Sequence, residues 1–285
     1  MRIIQSAREM QEFSEKIRNG GKKISFVPTM GYLHEGHLHL MREGGKRGEC
    51  LVVSIYVNPT QFGAGEDFER YPRDLERDSQ MAESTGVDVI FCPTNSDMYP
   101  AHYQTFVNVE EVTQNLCGLS RPGHFRGVAT ICCKLFHIVK PHTAIFGKKD
   151  FQQLVAIRRM VEDLNMDIKI VGMPTVREAD GLAMSSRNAY LKEDERTAAL
   201  NLSRSLLLAQ KLFNDGQRDA AEILKAVTEN LKGIPLLRLE YAKICDTETL
   251  KDLPHLGKEA VLAMAVYVGK TRLIDNYVFG EALEI

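Results

Sequence analysis

Short apolar runs punctuate the first two thirds of the chain, at Ile24–Val27, Leu51–Val57, Val87–Phe91, Thr143–Phe146 and Ile168–Val171. They are rich in β-branched residues and bounded by Gly, Pro, Asn or Asp, the pattern of strands buried on both faces. Between them, Leu38–Arg47, Leu75–Ser84, Val128–Val139 and Phe151–Leu164 carry apolar positions three and four apart and so predict helices. Strands alternating with crossover helices predict a Rossmann-like, doubly wound parallel sheet. Its ligand crevice is then expected at the carboxyl ends of the strands, where Pro28–His37 and Asn58–Gln61 fall.

The pattern changes after Asn188. Helical stretches at Glu193–Asn214 and Asp219–Leu231 precede strand-like runs at Leu237–Ile244, Ala260–Tyr267 and Thr271–Val278, predicting a smaller α+β domain. The expected division is a sheet domain over 1–180 and a C-terminal domain over 181–285, the second opening on Met184-Ser185-Ser186-Arg187. A chain of 285 residues has ample length for two unequal domains.

Composition narrows the function classes. Lys and Arg total 36 against 38 Asp and Glu, a net charge of −2, which argues against a surface built to hold a nucleic acid. The six cysteines include no C-x-x-C pair and lie mostly in apolar surroundings, as free thiols of a reducing compartment do. Neither a signal-peptide core nor an apolar run of 18 residues occurs, so a cytoplasmic protein without a membrane span is expected.

The candidate chemistry centres on Pro28-Thr29-Met30-Gly31-Tyr32-Leu33-His34-Glu35-Gly36-His37, an H-x-G-H pair after an apolar strand. A helix N-terminus directs N–H groups at an anion, and two imidazoles three residues apart add donors beside them. Zinc is a rival for His34, His37 and His39. The helical zinc motif, however, needs histidines at i and i+4, whereas this pair stands at i and i+3.

Three further segments follow along the chain: Val57-Asn58-Pro59-Thr60-Gln61-Phe62, Gly147-Lys148-Lys149-Asp150-Phe151-Gln152-Gln153, and the Met184–Arg187 loop, which resembles the K-M-S-K-S type of loop in enzymes that adenylate carboxylates. With them, residues 24–190 closely resemble the pantoate–β-alanine ligase (pantothenate synthetase) family of the H-x-G-H nucleotidyltransferase superfamily. The resemblance is looser after Leu191. It implies ATP-dependent condensation of (R)-pantoate with β-alanine, through pantoyl-adenylate, with release of pyrophosphate and AMP. It assigns Met30, Gly31, Tyr32, Leu33, His34, Glu35, Gly36 and His37 to ATP, with His37 on the phosphates. Gly147, Lys148, Lys149 and Asp150 follow as a second ATP segment, Val176 as backbone contacts to adenine, and Met184, Ser185, Ser186 and Arg187 as a closing loop on the triphosphate. Within that set His34, His37, Lys149, Ser185, Ser186 and Arg187 are the implied catalytic groups. Gln61 and Gln153 are implied to hold pantoate, as neutral amides able to donate to its carboxylate or hydroxyls. A homodimer is implied as well.

ATP chemistry brings in Mg²⁺, held chiefly by phosphates with one or two carboxylates. Asp78 is the candidate ligand, with a solvent-facing helix acid as the plainer reading. Nearby positions that are polar in some relatives are Arg77 and Met81 here. Arg121-Pro122-Gly123-His124-Phe125-Arg126-Gly127-Val128 also fits the family, yet its basic residues could equally serve the fold, so it stays outside the catalytic set. Two other classes are weighed. Another nucleotidyltransferase of this fold would have no reason to combine all four segments, and a non-enzymatic nucleotide- or RNA-binding module would show a basic surface and lost histidines.

Overall fold

Buried strands with β-branched side chains on both faces can only be satisfied by a sheet covered on both sides, and this is what the chain builds. The structure is a computed structural model that describes residues 1–257 and 259–283. It divides into two compact units: Met1–Glu110, Arg121–Lys148 and Ala156–Pro174 form the first, and Glu111–Ser120, Lys149–Val155 and Thr175–Ile285 the second.

In chain order the sequence up to Pro174 contributes β1 (Arg2–Ile4), α1 (Ala7–Asn19), β2 (Ile24–Thr29), α2 (Glu35–Gly45), β3 (Cys50–Ile55), α3 (Leu75–Glu83), β4 (Val89–Phe91) and the single turn α4 (Asn95–Met98). After another single turn, α5 (Cys117–Ser120), come α6 (His124–Val139), β5 (Thr143–Gly147), α7 (Phe151–Asp163) and β6 (Lys169–Met173). The six strands form one sheet in the order β1-β4-β3-β2-β5-β6. All its pairings are parallel. The strand order reverses between β2 and β5, and ligands of open parallel sheets bind outside the carboxyl ends at such a point. On one face, Leu38 and Met41 of α2 and Ala82 of α3 close over Val27, Leu51, Val53, Ile55, Ile90 and Ile145. On the other, Phe136 of α6 meets Phe26 and Phe146 edge to face at 6.4 Å, a packing that adds to the area the rings bury.

The second unit adds α8 (Glu193–Ala199), α9 (Asn201–Asn214), α10 (Ala220–Leu231), β7 (Leu237–Asp246), β8 (Ala260–Val268) and β9 (Thr271–Val278). Its sheet is antiparallel, in the order β7-β8-β9. Leu202, Leu206, Ile223 and Val227 from the helices share a core with Leu262, Met264 and Val266 from the buried central strand.

The structure differs from the sequence reading in three places. The expected single helix Glu193–Asn214 is interrupted at Leu200. There Asn201 Nδ2 takes the Ala198 carbonyl and Ser203 Oγ that of Leu200, so polar side chains compete with the helix for its own acceptors. The strand expected over Leu51–Val57 ends at Ile55, where the chain turns into Asn58-Pro59. Residues 1–20, which suggested no element, form β1 and α1, the latter capped by Ser6 Oγ accepting the Glu9 N–H.

Candidate functional site

The histidine segment is a turn before it is a helix. Two consecutive left-handed residues, Gly31 (φ 82°) and Tyr32 (φ 49°), swing the chain away from β2. A side chain at position 31 would be strained by that φ, and its Cβ would stand 2.9 Å from Ile55 Cγ2 and 3.0 Å from Asp78 Oδ2. Helix α2 then starts with His34 as its cap residue, whose carbonyl accepts the N–H groups of His37 and Leu38. The two imidazoles stack, centroids 4.0 Å apart. His37 Nδ1 accepts the main-chain N–H of His34 at 3.3 Å. The ring proton of neutral His37 therefore belongs on Nε2, as a donor suited to an anion.

The sequence does not reveal what holds this turn in place. Asp78 of α3 is 1% exposed, so it is not a solvent-facing helix acid. Its Oδ2 accepts the N–H of Tyr32 at 2.6 Å and its Oδ1 that of Leu33 at 2.7 Å. Burial pushes the Asp78 carboxyl above its ordinary range, while the two N–H donors and the Arg77 charge pull the other way. Arg77 donates to the Leu33 carbonyl at 2.8 Å and lies over the Tyr32 ring. The first turn of α3 thus grips two successive residues of the loop. Both Asp78 oxygens are committed to it, and no group of three His, Cys, Asp or Glu side chains placed to hold a metal occurs among the described residues. Each Asp78 oxygen keeps a further lone pair, so Asp78 stays a candidate carboxylate beside a Mg²⁺ held chiefly by ATP's own phosphates.

Gln61 lies beyond β3 and is the buried residue of a 3-10 turn, Pro59–Gln61. Asn58 Nδ2 donates to its Oε1 at 3.0 Å, and its Nε2 points to Met30 Sδ at 3.3 Å. Asn58 thereby fixes which end of the amide is presented as donor. The main chain of the turn is secured by the Arg121–Val128 segment. His124 Nδ1 lies 2.7 Å and Arg121 Nη2 3.3 Å from the Gln61 carbonyl oxygen. A Cβ at Gly127 would fall 2.3 Å from the Thr60 oxygen, so only glycine lets α6 approach the turn this closely.

In the second unit, Lys149 and Asp150 form a 3-10 turn with Lys148, and Phe151 opens α7. Burial lowers the pKa of Lys149, partly offset by the charges of Asp150 and Asp275 and reinforced by those of Arg187 and Arg177. Gln152 and Gln153 have unlike surroundings. Gln152 Oε1 accepts the Cys117 N–H, and its Nε2 donates to the carbonyls of Val112 and Asn115. Gln153 is half-buried and its amide makes no hydrogen bond among the described residues. Val176 and Met184 are tied by a main-chain bond of 3.0 Å across a narrow hairpin. Ser185 caps a 3-10 turn over Ser186–Tyr190, its Oγ accepting the Arg187 N–H, and Ser186 is buried.

Sequence reasoning missed Asp275 and Asn276 altogether, and it gave Arg77 no role. Arg121 and His124 were visible as part of a matching segment, without any sign of what they touch.

A parallel sheet whose reversal point carries a histidine-bearing helix start is the architecture of nucleotide-binding α/β enzymes. The family model for pantoate-beta-alanine ligase matches residues 2–278. The chain is 66% identical over 285 residues to the pantothenate synthetase of Syntrophus aciditrophicus, with all of both chains covered. It is 61% identical over 281 residues to that of Geobacter sulfurreducens, covering 99% of each. Among solved structures, pantothenate synthetase from Thermus thermophilus superimposes with a TM-score of 0.93 at 44% identity, covering 98% of this chain and 99% of that one. The pantoate-beta-alanine ligase of Francisella tularensis, solved with beta-gamma ATP and beta-alanine, gives a TM-score of 0.82 at 32% identity over the whole of both chains. The chain belongs to the pantoate–β-alanine ligase family.

Proposed function

We infer that this enzyme joins (R)-pantoate to β-alanine at the expense of ATP, and that the reaction runs in two steps. Joining a carboxylate to an amine in water is uphill, because the carboxylate is an anion without a leaving group. A pantoate carboxylate oxygen attacks the α-phosphorus of ATP, the bond from that phosphorus to the β-phosphate bridging oxygen breaks, and pyrophosphate departs. The β-alanine amine then attacks the acyl carbon, the acyl–oxygen bond breaks, AMP leaves and the amine loses a proton. Such transfers depend on positioning and charge neutralisation rather than on an enzyme nucleophile.

The observation that carries the reading is the His34–His37 pair, stacked on the first turn of α2 where the strand order reverses. In this reading Met30–His37 receives the phosphates, with Nε2 of His37 donating as charge develops. Gly147–Asp150, Val176 and Met184–Arg187 are likewise assigned to ATP, with Lys149, Ser185, Ser186 and Arg187 neutralising the triphosphate. Mg²⁺ enters bound to ATP. Gln61 and Gln153 hold pantoate, Gln61 through an amide already oriented by Asn58. The functional division falls near residue 180, within the Val176–Met184 hairpin, leaving 1–180 and 181–285. No helix among the described residues is long and apolar enough to cross a membrane. A cytoplasmic homodimer is the reading that family membership supports.

The test is an omission assay with ATP, Mg²⁺, pantoate and β-alanine, following pyrophosphate and AMP separately. Pantoate and ATP alone should release pyrophosphate up to about one equivalent per site, because the acyl-adenylate waits, sequestered, for its amine. His37→Ala should slow that burst by about 10²–10³-fold, the range for a lost preorganised donor. Pyrophosphate release that depends strictly on β-alanine would overturn the stepwise reading.

A further inference from the structure

Strand β9 carries a buried dipeptide, Asp275-Asn276, that no part of the reaction calls for. Asp275 lies on the same strand face as the core residues Leu273 and Tyr277, and its side chain is 1% exposed. Both its oxygens accept the Arg177 guanidinium, at 2.7 and 3.0 Å, and Oδ1 also accepts the N–H of Asn276 at 2.9 Å. Arg177 is itself 5% exposed and donates onward to the Gly181 carbonyl at 3.1 Å. That bond lies inside the hairpin, whose arms are joined by Glu178 N–H to Leu182 O, Met184 N–H to Val176 O and the Arg177–Ala183 bridge. Asn276 faces away from Asp275, as successive strand residues do, and its Nδ2 donates to the main-chain carbonyl of Lys149 at 2.8 Å.

A buried ion pair is a poor source of stability, since aliphatic residues of similar volume often do as well in a core. This one joins the segment before Ser185–Arg187 to a rigid strand. The next residue along the strand holds the segment that carries Lys149. We propose that Asp275 and Asn276 are positioning residues that set the Val176–Met184 hairpin and the Lys149 turn in the register in which they receive ATP. This rests on the assignment of Lys149 and Ser185–Arg187 to ATP. Each acts through the main chain or the guanidinium of another residue.

The test compares three sets of variants by the KM values for ATP, pantoate and β-alanine, by kcat and by thermal midpoint. Asn276→Ala removes one donor. Arg177→Met with Asp275→Leu replaces the whole ion pair with apolar groups, so that no buried charge is orphaned and the fold is kept. Lys149→Ala and Arg187→Ala report on the ATP assignment itself. Asn276→Ala and the double replacement should each raise the ATP KM about 10-fold or more, the size of one lost hydrogen bond. The pantoate KM should stay within about twofold, and the double replacement should keep a thermal midpoint near that of the parent. Folded variants with the parent ATP KM would overturn the proposal, as would KM values that rise equally for all three substrates. If Lys149→Ala and Arg187→Ala also leave the ATP KM unchanged, the ATP assignment fails and the proposal with it. If only those two raise it, the positioning role alone is lost.

Discussion

His124 Nδ1 lies 2.7 Å from the carbonyl oxygen of Gln61 while its Nε2 lies 3.1 Å from Arg121 Nη1. A guanidinium can only donate, so Nε2 must accept and the ring proton must sit on Nδ1. In that tautomer His124 fixes the main chain of the residue assigned to pantoate. Removing it with His124→Ala should raise the pantoate KM about 5-fold, since one bond worth about 1 kcal/mol is lost and the turn loosens. The ATP KM should hardly move. Steady-state kinetics with each substrate varied in turn decides this, and an unchanged pantoate KM in a folded variant would count against the anchor.

Glu66 supplies a pH dependence to the same corner. Its carboxylate accepts two Arg121 nitrogens, each at 2.6 Å. Burial alone would raise its pKa, but the Arg121 bonds and charge and the Gly63 N–H outweigh that and take it from 4.5 to about 2. A carboxyl depressed on folding contributes stability above its unfolded pKa and loses it as pH falls through the folded one. The stability gap between the parent and Glu66→Gln should therefore be constant above about pH 5 and close between about pH 4.5 and 2. Urea unfolding at about pH 3, 5 and 7 measures it. A gap that widens as pH falls would contradict the sign.

The sheet, the order of its elements and the glycine turn into α2 could be read from the sequence because each rests on a local signal: β-branched runs, three-and-four spacing, and glycine beside paired histidines. What escaped was long-range. Asp78 lies 45 residues from Leu33, and nothing around it marks it as an acceptor for that N–H. Asn276 lies 127 residues from Lys149, on a strand whose pattern speaks only of burial. The two adjacent glutamines of α7 cannot be told apart until the segment over Glu111–Ser120 folds back onto Gln152. The N-terminal strand escaped for a different reason: three residues are too few for any period to show.

The grip of Asp78 on Tyr32 and Leu33 should matter to chemistry more than to folding. Asp78→Asn keeps the volume but sets an amide nitrogen against one of two N–H donors, so the loop carrying His37 shifts. Displacement of about 1 Å at a reacting group can cost about 10²-fold in rate, and a fall of that order is expected in single-turnover pyrophosphate release. Gly31→Ala should act on the same loop, by forcing a side chain into a left-handed conformation at about 1–2 kcal/mol. An Asp78→Asn enzyme with the parent burst rate would show that the loop keeps its place without the carboxylate.

Gln152 and Gln153 offer a test within two residues, because one is spent on the fold and the other is not. Gln152→Ala orphans the Cys117 N–H and the carbonyls of Val112 and Asn115. A loss of about 1–3 kcal/mol in unfolding free energy is expected, with substrate affinities following only as far as the fold does. Gln153→Ala orphans nothing among the described residues, so its denaturation midpoint should match the parent. Its effect should appear with pantoate, whose buried polar groups would lose a partner worth about 1–3 kcal/mol, while ATP binds as before. Lys149→Ala should do the reverse. Calorimetric titration with ATP and with pantoate, the latter in the presence of a non-hydrolysable ATP analogue, separates the two. Should Gln153→Ala lose ATP and keep pantoate, the assignment of the pocket is wrong even though the enzyme remains a ligase.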